Sequence, residues 1–172
     1  MSIITNVEKH NPWIVTLTIG DAPFTAWKPG QFVLFSVREG ETWAPEHVYT
    51  ISSAPEEGEV RITVKAAGPS STRLQDAVPG MEVRVRGPMG HFCKDADHQP
   101  RLTLIAGGIG ITPFLSLLRH MMRAGTKSQI VLLWANNTAN DIIHREELAA
   151  IAETTGARIL HILWKDEDTV NA

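Results

Sequence analysis

A chain of 172 residues, 43% of them hydrophobic, has enough apolar material for one domain or for two small ones. A formal net charge of -3 gives no basic surface for nucleic acid, and the single cysteine, Cys93, excludes an internal disulfide or an iron–sulfur cluster held by several cysteines of this chain. No apolar stretch is long enough to span a bilayer, and the opening M-S-I-I-T-N-V-E-K-H-N lacks a secretory hydrophobic segment, so the expected location is the cytoplasm.

The first half reads as short strands: Trp13 to Ile19, Gln31 to Val37, His47 to Ser53, Glu59 to Ala66 and Met81 to Arg86. All carry β-branched or aromatic residues, and Gly or Pro punctuates them at Pro29-Gly30, Gly40, Pro55, Gly58, Gly68-Pro69, Pro79-Gly80 and Gly87-Pro88. Val60, Ile62 and Val64 alternate with charged or hydroxyl neighbours, the pattern of strands with one wet face and antiparallel pairing. Strands at this spacing predict a small barrel or sandwich.

From about Pro100 the rhythm becomes strand (Leu102 to Ala106), helix (Pro113 to Ala124), strand (Gln129 to Asn136), helix (about Asp141 to Thr154) and strand (Arg158 to Trp164). That alternation implies a parallel sheet with crossover helices. The polar stretch from Lys94 to Gln99 is the expected link, dividing the chain into 1–98 and 99–172. Leu102 to Ala106 is apolar throughout and predicts a strand buried on both faces. Gly107, Gly108 and Gly110 follow as a turn that lets backbone approach a ligand, with Thr112 as N-cap, Pro113 as first helical residue and Gly125 as helix stop. Such a turn offers an anion site for a phosphate or pyrophosphate; the alternative is a tight strand–helix connection without ligand. Three parallel strands leave edges and apolar faces poorly covered. The expectation is therefore a truncated form of something longer, or a short sheet completed by a homodimer or another partner protein.

Several motifs occur in a fixed order: P-G-Q-F at Pro29 to Phe32, H-V-Y-T-I-S-S-A-P at His47 to Pro55, V-K-A-A-G-P-S-S-T-R-L at Val64 to Leu74, G-P-M-G-H-F at Gly87 to Phe92, and G-G-I-G-I-T-P at Gly107 to Pro113. L-L-W-A-N-N-T-A-N-D-I-I-H-R-E-E-L, from Leu132 to Leu148, follows them. Together they resemble the ferredoxin–NADP reductase superfamily, most closely its ferric reductase and NADPH oxidase branch, over nearly the whole chain.

The resemblance implies a β barrel plus α/β architecture: a six-stranded antiparallel flavin-binding barrel, then a truncated parallel nucleotide-binding domain. The implied cofactors are FAD and NADH or NADPH. By likeness to the family, Tyr49 packs against the flavin and the Thr50 hydroxyl contacts flavin N5, the catalytic contact. His47 stands where arginine usually faces the diphosphate, and a neutral imidazole is the weaker phosphate partner. Val48 belongs to the same motif; Thr63, Val64 and Lys65 border the cofactor; Ser71 opens a short helix against the pyrophosphate, with the Arg73 charge nearby. Gly107, Gly108, Gly110 and Thr112 receive the dinucleotide phosphates. The family's C-G-P motif is not in this chain, which leaves nicotinamide binding open, and Asn137 where many relatives carry arginine leans away from NADPH.

Other chemistries lack their signatures. No two of the seven histidines stand at the i, i+4 spacing of a helical zinc site, so no metal is expected. There is no nucleophile elbow, and no lysine completes a Walker loop after Gly110. The five tryptophans read as packing residues, except that Trp43 is placed to approach an adenine. Two functions stay in view: an oxidoreductase passing electrons from NADH or NADPH through FAD to an unidentified acceptor, or a non-catalytic flavin-binding module whose incomplete second domain docks a partner.

Overall fold

The computed structural model describes residues 1–165 and 170–171. Its first half contains β1 (Ser2–Asn11), β2 (Ile14–Gly20), β3 (Phe32–Glu39), β4 (Thr42–Trp43), β5 (His47–Thr50), β6 (Val60–Lys65) and β7 (Glu82–Met89). All pair antiparallel in the order β4-β3-β7-β1-β2-β6, with β5 also on β3. Since β4 only doubles back on the end of β3, six strands form the wall. Between β5 and β6 there is no ladder. A single bridge from Ile51 to Ile62 and the Ser52 N–H to Arg61 carbonyl bond at 2.8 Å join them.

Alternation explains the barrel core. Val60, Ile62 and Val64 of β6 and Val83 and Val85 of β7 point inward, where Val15, Leu17, Val33, Phe35 and Ile51 meet them. The five expected strands are present with ends shifted by a few residues. Sequence reading missed the two-residue β4 and, in the wall, β1. Of its ten residues only Ser2 and Ile4 are buried, so it carries no apolar alternation to betray it.

The second half contains parallel strands β8 (Arg101–Gly107), β9 (Gln129–Asn136) and β10 (Arg158–Leu163), in that spatial order. A two-residue strand, β11 (Val170–Asn171), pairs antiparallel with β10. Helices α2 (Thr112–Ala124) and α3 (Arg145–Thr155) make the crossovers, while α1 (Pro69–Arg73) belongs to the barrel half. Because consecutive strands are neighbours and crossovers share one hand, both helices lie on one face of the sheet. Leu104 and Ala106 of β8 and Ile130, Leu132 and Trp134 of β9 pack there against Leu115, Leu118, Met121, Leu148 and Ile151.

Two local expectations are corrected. Leu102 to Ala106 is not buried on both faces: Ile105 is 71% exposed, because no helix covers the other side of the sheet among the described residues. Thr112 is not the N-cap either. The glycine turn winds as a 3-10 segment, Gly108–Ile111, directly into the helix, so Thr112 already has helical angles and Ile111 precedes it. Gly125 does end α2, in a left-handed conformation with φ 63°.

The two halves are joined by directed polar contacts. Ser116 Oγ donates to the Ser53 carbonyl at 2.6 Å and Arg119 Nη1 to the Ser52 carbonyl at 2.6 Å, both from α2. Trp13 Nε1 donates to Asp141 at 3.0 Å and Asn11 Nδ2 to the Asn140 carbonyl at 2.9 Å. Farther along α2, His120 meets Glu56 at 2.6 Å and Arg123 meets Glu57 at 2.9 Å.

Candidate functional site

A groove of about 490 Å³ opens where the β5–β6 seam faces the glycine turn. That is within the roughly 300–1,000 Å³ of small-molecule sites. Val48, Tyr49, Thr50, Thr63, Val64 and Lys65 line it from the barrel, and Gly110 and Thr112 from the second half. Tyr49 is half-buried, its ring edge-on to Phe35 with centroids 5.9 Å apart, and burial pushes its hydroxyl pKa up. Its other side borders a much smaller cleft, about 20 Å³, with His47, Ser70 and Arg73.

The predicted site residues thus fall into four groups. Those named above share the groove. His47 lies in the adjoining cleft, where its Nε2 is 2.8 Å from Ser70 Oγ. Ser71 closes its own loop, its hydroxyl accepting the Ala67 and Gly68 N–H groups at 2.9 and 3.0 Å. Arg73 pairs with Glu39 at 2.8 Å. Gly107 and Gly108 stand at the end of β8 rather than in the groove wall.

The glycine turn is bare and anchored. A Cβ added to Gly107, Gly108 or Gly110 would meet no other atom within 4 Å, so the backbone faces open space that a ligand can occupy. Gly108 has φ +47°, a conformation that disfavours side chains. Its carbonyl accepts the indole N–H of fully buried Trp134 at 2.9 Å. Trp134 is therefore more than packing, whereas Trp43 lies under the Arg84 guanidinium, 4.3 Å from its ring centre, and not in the groove.

Sequence reading missed several residues here. Gly30, Phe32 and Phe92 also line the groove, and all three belong to motifs quoted for the resemblance. Gly30, with φ +81°, sits so close to Cys93 that a Cβ would fall 2.7 Å from its amide nitrogen. Cys93 is itself buried, and desolvation pushes its thiol up to about 11, which removes it as a nucleophile at neutral pH.

Asp141 was missed as well. It binds Lys65 Nζ at 2.9 Å across the two halves, so the groove's lysine is held from the second half. Burial pushes the Asp141 carboxyl up, but hydrogen bonds from Lys65 and Trp13, the Lys65 charge and the Thr138 N–H outweigh it and hold the group below its ordinary value. A depressed carboxylate stabilises the fold above its unfolded pKa of about 3.9, and that contribution fades as pH falls through the folded value. Asp141→Asn is therefore expected to melt earlier than the parent at neutral pH. The gap should close on acidification below about pH 4; a gap constant across pH in thermal melts would refute the pairing.

A second cleft, about 600 Å³, lies between Gly125, Ser128 and Gly156 at the amino ends of β9 and β10. Ligands of parallel sheets sit beyond the carboxyl ends of the strands, which favours the groove over this cleft as the candidate site.

The FAD-binding domain family matches residues 4–108, and the oxidoreductase NAD-binding domain family matches residues 104–171. The chain belongs to this FAD-binding family. It is 36% identical over 119 residues to NADH-cytochrome b5 reductase 1 of Pyricularia oryzae, covering 66% of this chain and 38% of that protein. Against ferredoxin–NADP reductase B of Sorangium cellulosum it is 34% identical over 110 residues, covering 62% of this chain and 45% of the other. The chain thus spans less than half the length of these curated relatives. Among solved structures, the FAD/NAD-binding domain of nitric oxide dioxygenase from Vibrio cholerae superposes with a TM-score of 0.83 at 20% identity, covering 98% of this chain and 76% of that one. A ferredoxin NADP+ reductase from Neisseria gonorrhoeae with bound FAD and NADP gives 0.79 at 21% identity, covering 99% and 70%.

The superfamily resemblance and the barrel-plus-α/β fold therefore hold over both halves, and the cofactor pair of the family is FAD with a nicotinamide dinucleotide. The residues present fit that pair: the groove is open beside Tyr49 and Thr50, and the turn opposite presents glycine backbone to it. Among the described residues no helix is long and apolar enough to cross a membrane.

Proposed function

We propose that this chain is a flavin-dependent electron-transfer module that takes reducing equivalents from NADH or NADPH. The observation that carries the reading is the groove itself, with Tyr49, Thr50 and Lys65 on one wall and Gly110 and Thr112 on the other. When bound, FAD supplies hydride acceptance and one-electron release, chemistry that no side chain provides. The protein positions and shields. Tyr49 offers a flat ring braced by Phe35, and Thr50 offers a hydroxyl toward the position proposed for flavin N5. His47 and Ser70 face the cleft proposed for the diphosphate, with Ser71 setting the loop behind them. Gly107, Gly108 and Gly110, fixed by the Trp134 bond, present backbone to the dinucleotide, with Thr112 beside them.

We place the division between barrel and nucleotide domain near residue 98, and the working compartment in the cytoplasm. We propose a cytochrome b5-type or ferredoxin-type protein as electron acceptor, in line with the names of the relatives. A second reading, a flavin module that docks a partner without turnover, is favoured by one observation: the bare sheet face, where Ile105 is 71% and Ile162 44% exposed.

An anaerobic titration separates the two. Protein reconstituted with FAD should show a bound-flavin spectrum that bleaches on stoichiometric NADH, and less readily on NADPH given Asn137. Bound flavin that stays oxidised with both nucleotides would favour the docking reading. Failure to retain FAD would overturn both.

A further inference from the structure

Away from the groove, Glu8 and His10 on β1 meet His144, which lies just before α3. One ligand atom from each falls within 4.8 Å of the other two. The imidazole rings pack edge-on with centroids 4.5 Å apart, and both side chains are only 8% exposed.

A chain of hydroxyl groups fixes which nitrogens are bare. Ser52 Oγ donates its proton to the Arg61 carbonyl at 3.2 Å, and Thr63 Oγ1 donates to Ser52 Oγ at 3.0 Å. A hydroxyl has one proton, so Thr16, 2.9 Å from Thr63, is the donor in that pair. Thr16 must then accept from His10 Nε2, which lies 2.8 Å from its Oγ1. In neutral His10 the remaining nitrogen, Nδ1, carries a lone pair, and it lies 3.6 Å from Glu8 Oε1, another acceptor.

His144 reaches the same state by another route. Its Nδ1 is 3.2 Å from Glu147 Oε2, a carboxylate ionised by its fork with Arg119, so Nδ1 carries the proton. Its Nε2 is buried without any hydrogen-bond partner. The His10 and His144 rings, each with one nitrogen left bare, therefore converge with the Glu8 carboxylate, while each imidazole is oriented from behind by an oxygen. Carboxylate and hydroxyl groups behind imidazoles are the outer-shell arrangement of metal-bound histidine.

We propose that Glu8, His10 and His144 form a binding site for a divalent metal ion of the zinc class, through Glu8 carboxylate, His10 Nδ1 and His144 Nε2. Two nitrogens and one oxygen suit that class, and half-exposed Glu8 leaves a water-accessible fourth position. The ion would bridge the barrel to the second half at a place separate from the flavin groove. Spacing along the chain gave no sign of it, since 134 residues separate the two histidines.

Cobalt(II) is the probe. Untagged, metal-stripped protein of residues 1–172 should take up one equivalent with the visible d–d bands of a low-coordinate site, bleached by competing zinc, and its thermal midpoint should rise. Glu8→Gln, at a solvent-exposed strand position, and His144→Asn, which tolerates the left-handed backbone of φ 54° there, should each weaken cobalt binding by at least about tenfold with unchanged circular dichroism. No d–d bands, or bands undiminished in both variants, would overturn the proposal. So would imidazole nitrogen chemical shifts showing a proton held between the two rings and indifferent to zinc. Flavin retention need not change in either variant, so this outcome is independent of the groove assignment.

Discussion

Replacing Arg119 with alanine is expected to cost about 3–5 kcal/mol of folding free energy, the range seen when one partner of a buried ion pair is removed. Arg119 is 1% exposed and sits on the inner face of α2. Its guanidinium forks onto Glu147 at 2.6 and 2.7 Å and reaches the Ser52 carbonyl at 2.6 Å. Alanine would leave that carboxylate without its counter-charge and that carbonyl without its donor, at the junction of helix, helix and barrel. Arg119→Lys keeps the charge but cannot hold both partners at once, so its loss should be intermediate. Urea denaturation followed by circular dichroism measures both, and an alanine variant within about 1 kcal/mol of the parent would refute the clamp.

The second large effect is on binding rather than folding. Gly110 lines the groove opposite Thr50 and Lys65, and a Cβ there would touch nothing. Gly110→Val should therefore leave stability within about 1 kcal/mol of the parent. Its two methyl groups would nevertheless occupy space that a dinucleotide needs to reach bare backbone. Affinity for NADH or NADPH should fall at least about tenfold, equivalent to about 1.4 kcal/mol. Equilibrium titration of flavin-loaded protein reads this directly. Unchanged nucleotide affinity in a folded variant would remove the glycine turn from the site.

These two residues differ in how legible they were. Gly110 belongs to a strand–turn–helix motif whose local order is visible in thirteen consecutive residues, Arg101 to Pro113. Arg119 looks like an ordinary helix charge, because its partners Ser52 and Glu147 lie 67 and 28 residues away. The same distance problem hid Asp141 behind Lys65 and Trp134 behind Gly108. Hydrophobic rhythm carried the strands and helices, and motif order the six-stranded barrel and the groove residues Tyr49, Thr50 and Thr63 to Lys65. It could not show that Ser71 is consumed by its own loop or that Arg73 is neutralised by Glu39.

Elsewhere the error came from reading hydrophobicity as burial. The β8 run is apolar on both sides, yet only one side is covered among the described residues, while β1 pairs along the barrel wall with Ile3, Ile4 and Val7 out of alternation. Backbone hydrogen bonds stabilise a strand whichever way its side chains read, and an exposed isoleucine leaves no mark in the sequence.

The polar links between the halves bear on how a ligand enters. Two lobes fastened by Ser116, Arg119, Asp141, His120 and Arg123 have their mutual orientation restrained when the chain folds, so the open groove is expected to be the form that binds. A guest then incurs no penalty for selecting a rare closed conformer, and its apparent affinity equals its intrinsic one. Association should follow simple bimolecular kinetics, governed by encounter and dehydration rather than by a gating step.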